Sequence, residues 1–344
     1  MHSRTFAAPA DAGWFMPAEW WPHTRCWMAW PTRIWGSWLK SAKEDVATVA
    51  KAITEFDELV SLIASPDSAA EAAQACGGKV EVIAMPIDDC WTRDTGPTFL
   101  VNNKGGCAGI SWGFNGWGER YKPYTEDALL ARRLLGELKL LGFAGPLVIE
   151  GGNLCSDGEG TLLTSETAIL DPKRNPGLTR DEAEKRLRAY LGVKKVIWLP
   201  GNPEDTVTRG HVDGIACFCQ PGLVIAEITG DKNHLEYEAL KKCREALEGE
   251  RDAQGRELEV LTLTRPRVRR PTKDFCSSYV NFYIANRGIV MPKFGDDRAD
   301  EAARKVVEDA FRCKVVQLGI DTIAKGGGGI HCITQQQPSG QKPA

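Results

Sequence analysis

Near the C-terminal end of the chain, four successive glycines (Gly326, Gly327, Gly328 and Gly329) lead through Ile330 and His331 to Cys332. Glycine tolerates positive φ and lets a backbone come close to a ligand. Cysteine is intrinsically a strong nucleophile, so Cys332 is the candidate to attack a substrate. Other reactive side chains also stand beside glycines. Asp94 lies in Trp91-Thr92-Arg93-Asp94-Thr95-Gly96, Glu150 in Glu150-Gly151-Gly152-Asn153, and His211 and Asp213 in Gly210-His211-Val212-Asp213-Gly214. With one residue between them, His211 and Asp213 face the same side of an extended segment.

A thiol, an imidazole and three carboxylates would make a strongly anionic pocket. Carboxylates raise a thiol pKa and oppose thiolate formation unless a cation intervenes. A cationic substrate removes the conflict, and a planar guanidinium suits it: two flanking carboxylates can each accept a fork of its five N–H donors. Attack by Cys332 on the central carbon would give a tetrahedral adduct. His211 would protonate the departing ammonia and then activate water to hydrolyse the thiouronium.

These residues need elements that bring them together. Helical periodicity followed by a β-branched strand recurs five times. The units run from Ser68 into Lys79–Met85, from Thr125 into Pro146–Glu150, from Thr179 into Lys195–Leu199, from Asn233 into Glu257–Leu263, and from Asp300 into Lys314–Leu318. Thr179-Arg180-Asp181-Glu182 reads as a capping box and Gly192 as a helix stop. Strand starts are spaced by roughly 50 to 65 residues, leaving room for extra strands. The expected pairs are Thr161–Thr164 with Ala168–Leu170, Gly214–Phe218 with Leu223–Glu227, and Tyr279–Tyr283 with Ile289–Met291. A ββαβ unit cannot bury its own apolar face, so such repeats pack on one another. The pattern predicts an α/β fold, a five-bladed propeller of pseudo-fivefold ββαβ repeats, with the glycine-rich tail ending the last repeat. No linker divides the chain, so residues 1–344 are expected to form one catalytic domain.

Composition narrows the partners. A net charge of -3 over 344 residues offers no basic field for nucleic acid. The run from Arg265 to Arg270 reads as a solvated loop. No apolar run approaches the roughly 20 residues needed to span a bilayer, and Met1 to Gly13 lacks the pattern of a secretory signal. Eleven cysteines without framework spacing predict free thiols and a cytoplasmic location. Exposed helices and the tryptophans from Trp20 to Trp38 leave surface for a homo-oligomer.

Met16–His23, Met28–Pro31, Trp91–Thr98, Glu150–Asn153, Gly210–Asp213 and Gly327–Pro338 together resemble the agmatine deiminase and bacterial peptidylarginine deiminase-type family of the guanidine-modifying superfamily. The resemblance implies a five-bladed α/β propeller and hydrolysis of a small guanidino compound, with agmatine as the first candidate. It implies neither metal nor organic cofactor. By the same resemblance Cys332 is the nucleophile, His211 the general acid and base, Asp94 and Asp213 the guanidinium clamp, and Glu150 the carboxylate that charges and orients the histidine. Trp91 either walls the substrate channel or is packing. Arg209 departs from the family pattern: facing the pocket it would bind a carboxylate and favour arginine or another guanidino acid, and facing solvent it would have no such role. Amidino transfer and non-catalytic guanidine binding are the competing functions.

Overall fold

The computed structural model describes residues 8–268 and 274–341. Met1 to Ala7 of the segment inspected for a signal, and Arg269 and Arg270 of the basic run, lie outside the described residues. Among these, the strands form five separate sheets. Four sheets repeat one plan, in which an antiparallel pair is followed by a helix and a strand parallel to the second member. The first contains Thr98–Asn102, Cys107–Gly113 and Leu141–Val148, with helix Asp127–Glu137 and an extra edge strand, Trp14–Phe15. The second contains Cys155–Ser156, Thr161–Ser165 and Lys195–Leu199, with helix Arg180–Leu191. The third contains Ala216–Gln220, Leu223–Ile228 and Glu259–Thr264, with helix Tyr237–Leu247. The fourth contains Tyr283–Ala285, Gly288–Lys293 and Lys314–Gly319, with helix Asp297–Phe311.

The fifth sheet joins distant parts of the chain. Gln335–Pro338 pairs antiparallel with His23–Ala29, which continues in parallel to Val60–Ala64 and Val80–Ala84 through helices Leu39–Thr54 and Ala69–Cys76. The glycine-rich tail therefore does not end the module of Asp300 to Leu318, as expected from sequence. The polar strand Gln335–Pro338 is instead fixed to the N-terminal part, with Trp27 Nε1 donating to Gln337 Oε1 at 2.9 Å.

Local chemistry explains the elements and the other departures. Val46, Val49 and Ile53 recur at helical spacing in Leu39–Thr54 and are fully buried, each contributing about 1.5–3 kcal/mol of transfer free energy. Thr179 caps its helix by accepting the Glu182 N–H at 3.3 Å, and Gly192 ends it at φ 67°. Ala168 to Leu170 does not form a strand: Thr161–Ser165 finds its antiparallel partner upstream, and Glu166–Ile169 is a single helical turn closed by the Leu170 N–H on the Glu166 carbonyl. Tyr279 to Phe282 is likewise not strand, because the Asn281 carbonyl accepts the His331 N–H at 3.1 Å instead of a ladder partner. Arg265 is not solvated but buried, pairing with Glu236 at 2.8 Å and Glu227 at 3.5 Å. Trp21, Trp27 and Trp30 are core residues, which removes them from any subunit surface.

Neighbouring modules touch in sequence. Helix Arg180–Leu191 reaches Trp14–Phe15, Tyr237–Leu247 reaches Lys195–Leu199, Asp297–Phe311 reaches Glu259–Thr264, and Leu39–Thr54 reaches Lys314–Gly319. Gln335–Pro338 also touches Thr98–Asn102 of the first sheet. Among the described residues, no helix is long and apolar enough to cross a membrane.

Candidate active site

Three short turns meet: Thr92–Thr95 contacts Gly151–Asn153, which contacts Val212–Gly214. They bring Asp94, Glu150, His211 and Asp213 together, all buried. Gly152 makes the convergence possible. A Cβ there would lie 2.8 Å from Asp94 Oδ1, 2.8 Å from His211 Nδ1 and 2.9 Å from Asp213 Oδ2, so any side chain would occupy the space between the reactive groups.

The polar contacts form two chains. In the first, Arg174 Nε donates to Glu150 Oε1 at 2.8 Å, Glu150 Oε2 lies 3.1 Å from His211 Nε2, and His211 Nδ1 lies 3.7 Å from Asp94 Oδ2. Asp94 is itself held by the Trp117 indole N–H at 2.8 Å and the Gly152 N–H at 2.9 Å. In the second, Glu19 Oε1 lies 2.9 Å from His331 Nε2, and His331 Nδ1 lies 2.8 Å from Asp213 Oδ2. Cys332 Sγ stands 3.5 Å from that same Asp213 oxygen. The Asn281 amide borders the thiol too, its Nδ2 at 3.2 Å from Sγ and its Oδ1 accepting the Cys332 N–H at 3.3 Å.

The glycine run works by close approach more than by positive φ. Only Gly327, at φ +95°, occupies the left-handed region within it. At Gly328 a Cβ would come within 2.3 Å of the Trp91 ring, and at Gly329 within 2.4 Å of Asn281 Oδ1. The tail thus threads between an indole and the amide that borders the thiol.

Burial and charge set the protonation states. Burial pushes the Cys332 thiol well above its ordinary value, and the Asp213 carboxylate pushes it further. Burial also raises Asp94, with the charges of Asp213 and Glu150 adding to it against the pull of His211. Glu150 goes the other way: against burial, Arg174 and His211 hold it down at about 2. Burial opposes charge on His211, but Asp94 and Glu150 outweigh it and raise the imidazole. Asp213 is lowered, because His331 overcomes its burial. The pocket is therefore a neutral thiol and a proton-retaining imidazole among carboxylates, poised for a cation.

Cys332 and Asp94 line a cavity of ≈ 450 Å³ with Trp91, Trp117, Trp35 and Tyr124. Trp91 borders this cavity and also packs, its ring centroid 5.8 Å from that of Trp35. Arg209 is not among the cavity residues. It has φ +71°, donates to the Pro203 carbonyl, and lines a separate surface groove with Arg120 and Asp205. The left-handed backbone at Arg209 and Gly210 turns the arginine away while delivering His211 inward, so a pocket-facing Arg209 does not agree with the geometry.

Sequence reasoning gave no role to Glu19, Arg174, Asn281 or His331. Glu19 and His331 did stand inside quoted motifs. Asn281 and Arg174 carried no local signal, since they reach the site only through contacts 51 and 24 residues away in the chain.

The family model described as Porphyromonas-type peptidyl-arginine deiminase matches residues 15–338. A relative from Legionella pneumophila is 44% identical over 341 residues, spanning 97% of this chain and 98% of that protein. An agmatine deiminase of Pseudomonas aeruginosa is 38% identical, with 99% of this chain and 100% of that protein aligned. The solved agmatine deiminase of Enterococcus faecalis superposes with a TM-score of 0.93 at 33% identity, over 98% of this chain and 99% of that one. The mixed α/β fold of curled sheets is thus shared with guanidino-group-modifying enzymes, and the chain belongs to the Porphyromonas-type peptidyl-arginine deiminase family.

Proposed function

We propose that the protein is a deiminase that hydrolyses agmatine to N-carbamoylputrescine and ammonia. The observation that carries this reading is the Cys332 thiol beside Asp213, with Asp94, His211 and Asp213 gathered around Gly152 and Glu150 against His211. Relatives of nearly full length carry the name agmatine deiminase, which supports agmatine as the substrate.

In this mechanism the guanidinium enters between Asp94 and Asp213, whose carboxylates accept its N–H donors. Its positive charge offsets the carboxylates that hold the thiol neutral, so Cys332 gives up its proton to cavity water as substrate binds. The thiolate forms a C–S bond to the guanidinium carbon. The imidazolium of His211 protonates one nitrogen, and the C–N bond breaks to release ammonia. The now neutral His211 takes a proton from water as its oxygen adds to the thiouronium carbon. Collapse of that adduct breaks the C–S bond, and the adduct's hydroxyl proton passes to the departing sulfur, which restores the thiol and leaves the ureido product. Glu150 keeps His211 oriented and charged, and Trp91 walls the channel. Arg209, outside the cavity, takes no part in binding.

We further infer that the five sheets are the blades of a closed α/β propeller acting as one domain, supported by the sequential contacts and by the strand Gln335–Pro338 that ties the C-terminal part to both the N-terminal strands and the first sheet. All eleven cysteines are free thiols, which supports a cytoplasmic setting.

The test is a panel of agmatine, arginine, a short guanidino acid and an arginine-containing peptide, read by ureido product and ammonia. Agmatine is expected to be turned over with the highest kcat/KM, and Cys332→Ser to abolish turnover. No ureido product from any of the four would refute the deiminase.

A further inference from the structure

We propose that Asp89 is the anionic end of the substrate cavity and binds the primary ammonium of an aminoalkyl guanidine, which makes it a specificity-determining residue. The inference rests on the deiminase reading above and adds the group that recognises the tail.

Asp89 lines the same cavity as Asp94 and Cys332 but is only 8% exposed. Its carboxylate lacks a counter-charge: Oδ1 accepts the Trp35 indole N–H at 2.6 Å, its further partners Cys90 and Trp91 are neutral, and no Lys, Arg or His among the described residues pairs with it. A buried carboxylate without a cation is costly, and a ligand cation relieves that cost. The neighbouring acids are committed elsewhere. Asp127 accepts the backbone N–H groups of Asp88 and Asp89 at 2.8 and 3.2 Å, and Asp88 accepts that of Glu126 at 2.7 Å.

The spacing suits a tethered cation. From the nucleophile the cavity wall runs through Gly328, packed against Trp91, to Trp35, whose ring is tilted against that of Trp91, and from the Trp35 indole to Asp89. The Trp91 and Trp35 rings thus wall the cavity between Asp89 and Cys332, and a short methylene chain can lie across them. Indole and phenol faces favour both the methylenes and the ammonium. The one cation among the lining residues, Lys122, is exposed, so a carboxylate tail would meet the buried anion with only an exposed lysine to hold it.

Initial rates on agmatine and on butylguanidine, the same chain without the ammonium, test this with wild type and Asp89→Asn. The variant is expected to raise KM for agmatine about 30-fold or more, as for loss of a buried charge-assisted contact, with kcat little changed and KM for butylguanidine within about threefold of wild type. Equal losses on both substrates would overturn the subsite while leaving the deiminase intact; wild type inactive on both would overturn the deiminase. Wild type preferring arginine over agmatine would also overturn the subsite. Should the variant not fold, the wild-type pH series decides. Asp88, Cys90 and Asp127 adjoin Asp89, and Asp94 and Lys122 share its cavity; they act on both substrates, so the ratio of KM values isolates the tail. Burial pushes Asp89 up to about 6, so KM for agmatine rises below that pH while KM for butylguanidine does not. A constant ratio refutes the proposal.

Discussion

Arg174, Glu150 and His211 form a buried charge relay whose middle member sets the state of the last. Arg174 keeps Glu150 ionised, and Glu150 helps keep the imidazole protonated against its burial. Replacing Glu150 by Gln removes the charge but keeps the shape. With only Asp94 and Asp213 left to oppose burial, the His211 pKa falls, so the alkaline limb of kcat moves to lower pH and kcat drops on the order of 100-fold. A pH–rate profile on folded Glu150→Gln checks this, and an unmoved limb would deny Glu150 that role. The residues that do chemistry in this scheme were legible because each sits within three residues of a glycine in a compact motif. Asn281 and Arg174 were not, because a lone amide between Val280 and Phe282, or an arginine between Lys173 and Asn175, is informative only once tertiary contacts place it.

At the scale of elements, the glycine-rich tail is a fitted loop. Gly328→Ala puts a methyl against the Trp91 ring, where a Cβ would be 2.3 Å from its nearest atom. Indole and loop must part, displacing Cys332, and a misplacement of about 1 Å can cost about 100-fold in kcat/KM. Gly136→Ala is the matching control: it lies in helix Asp127–Glu137 with nothing within 4 Å of the added Cβ, and should stabilise by up to about 1 kcal/mol. Steady-state rates and thermal melts on both variants separate fitting from general glycine loss. The helices and the parallel strands after them were readable from periodicity, because each buries one apolar stripe. The short antiparallel partners were less so. Cys155–Ser156 is two residues long, and Tyr283–Ala285 is trimmed by the demands of the site rather than by propensity.

Over the whole molecule, buried acids tie stability to pH. Burial raises Asp89 to about 6, Glu227 to about 7 and Asp127 to about 8. Between their ordinary values near 4 and these raised ones, the folded state binds more protons than the unfolded, so stability falls as pH rises. His211 and His331 are raised as well, and their contribution is likewise lost on the alkaline side. Glu19 and Glu150, held at about 2, act oppositely, losing stability only as pH falls below their ordinary 4.5. Tm at pH 5 should therefore exceed Tm at pH 8 by about 3 °C or more, and the reverse order in thermal scans would contradict these assignments. The α/β character of the chain was legible in its alternating elements. The pairing of Gln335–Pro338 with His23–Ala29 was not, since nothing local in a glutamine-rich segment names a partner some 310 residues away.

That pairing has a temporal consequence. Cys332 is anchored immediately before a strand that docks on one of the first strands to be synthesised, and joining such remote segments is slow because chain entropy must be surrendered before the contact rewards it. The nucleophile thus reaches its place only when the last long-range step is complete. Turnover therefore awaits the closing of the chain on itself: a half-folded chain carries the Cys332 thiol without the carboxylates and imidazole that the fold gathers around it.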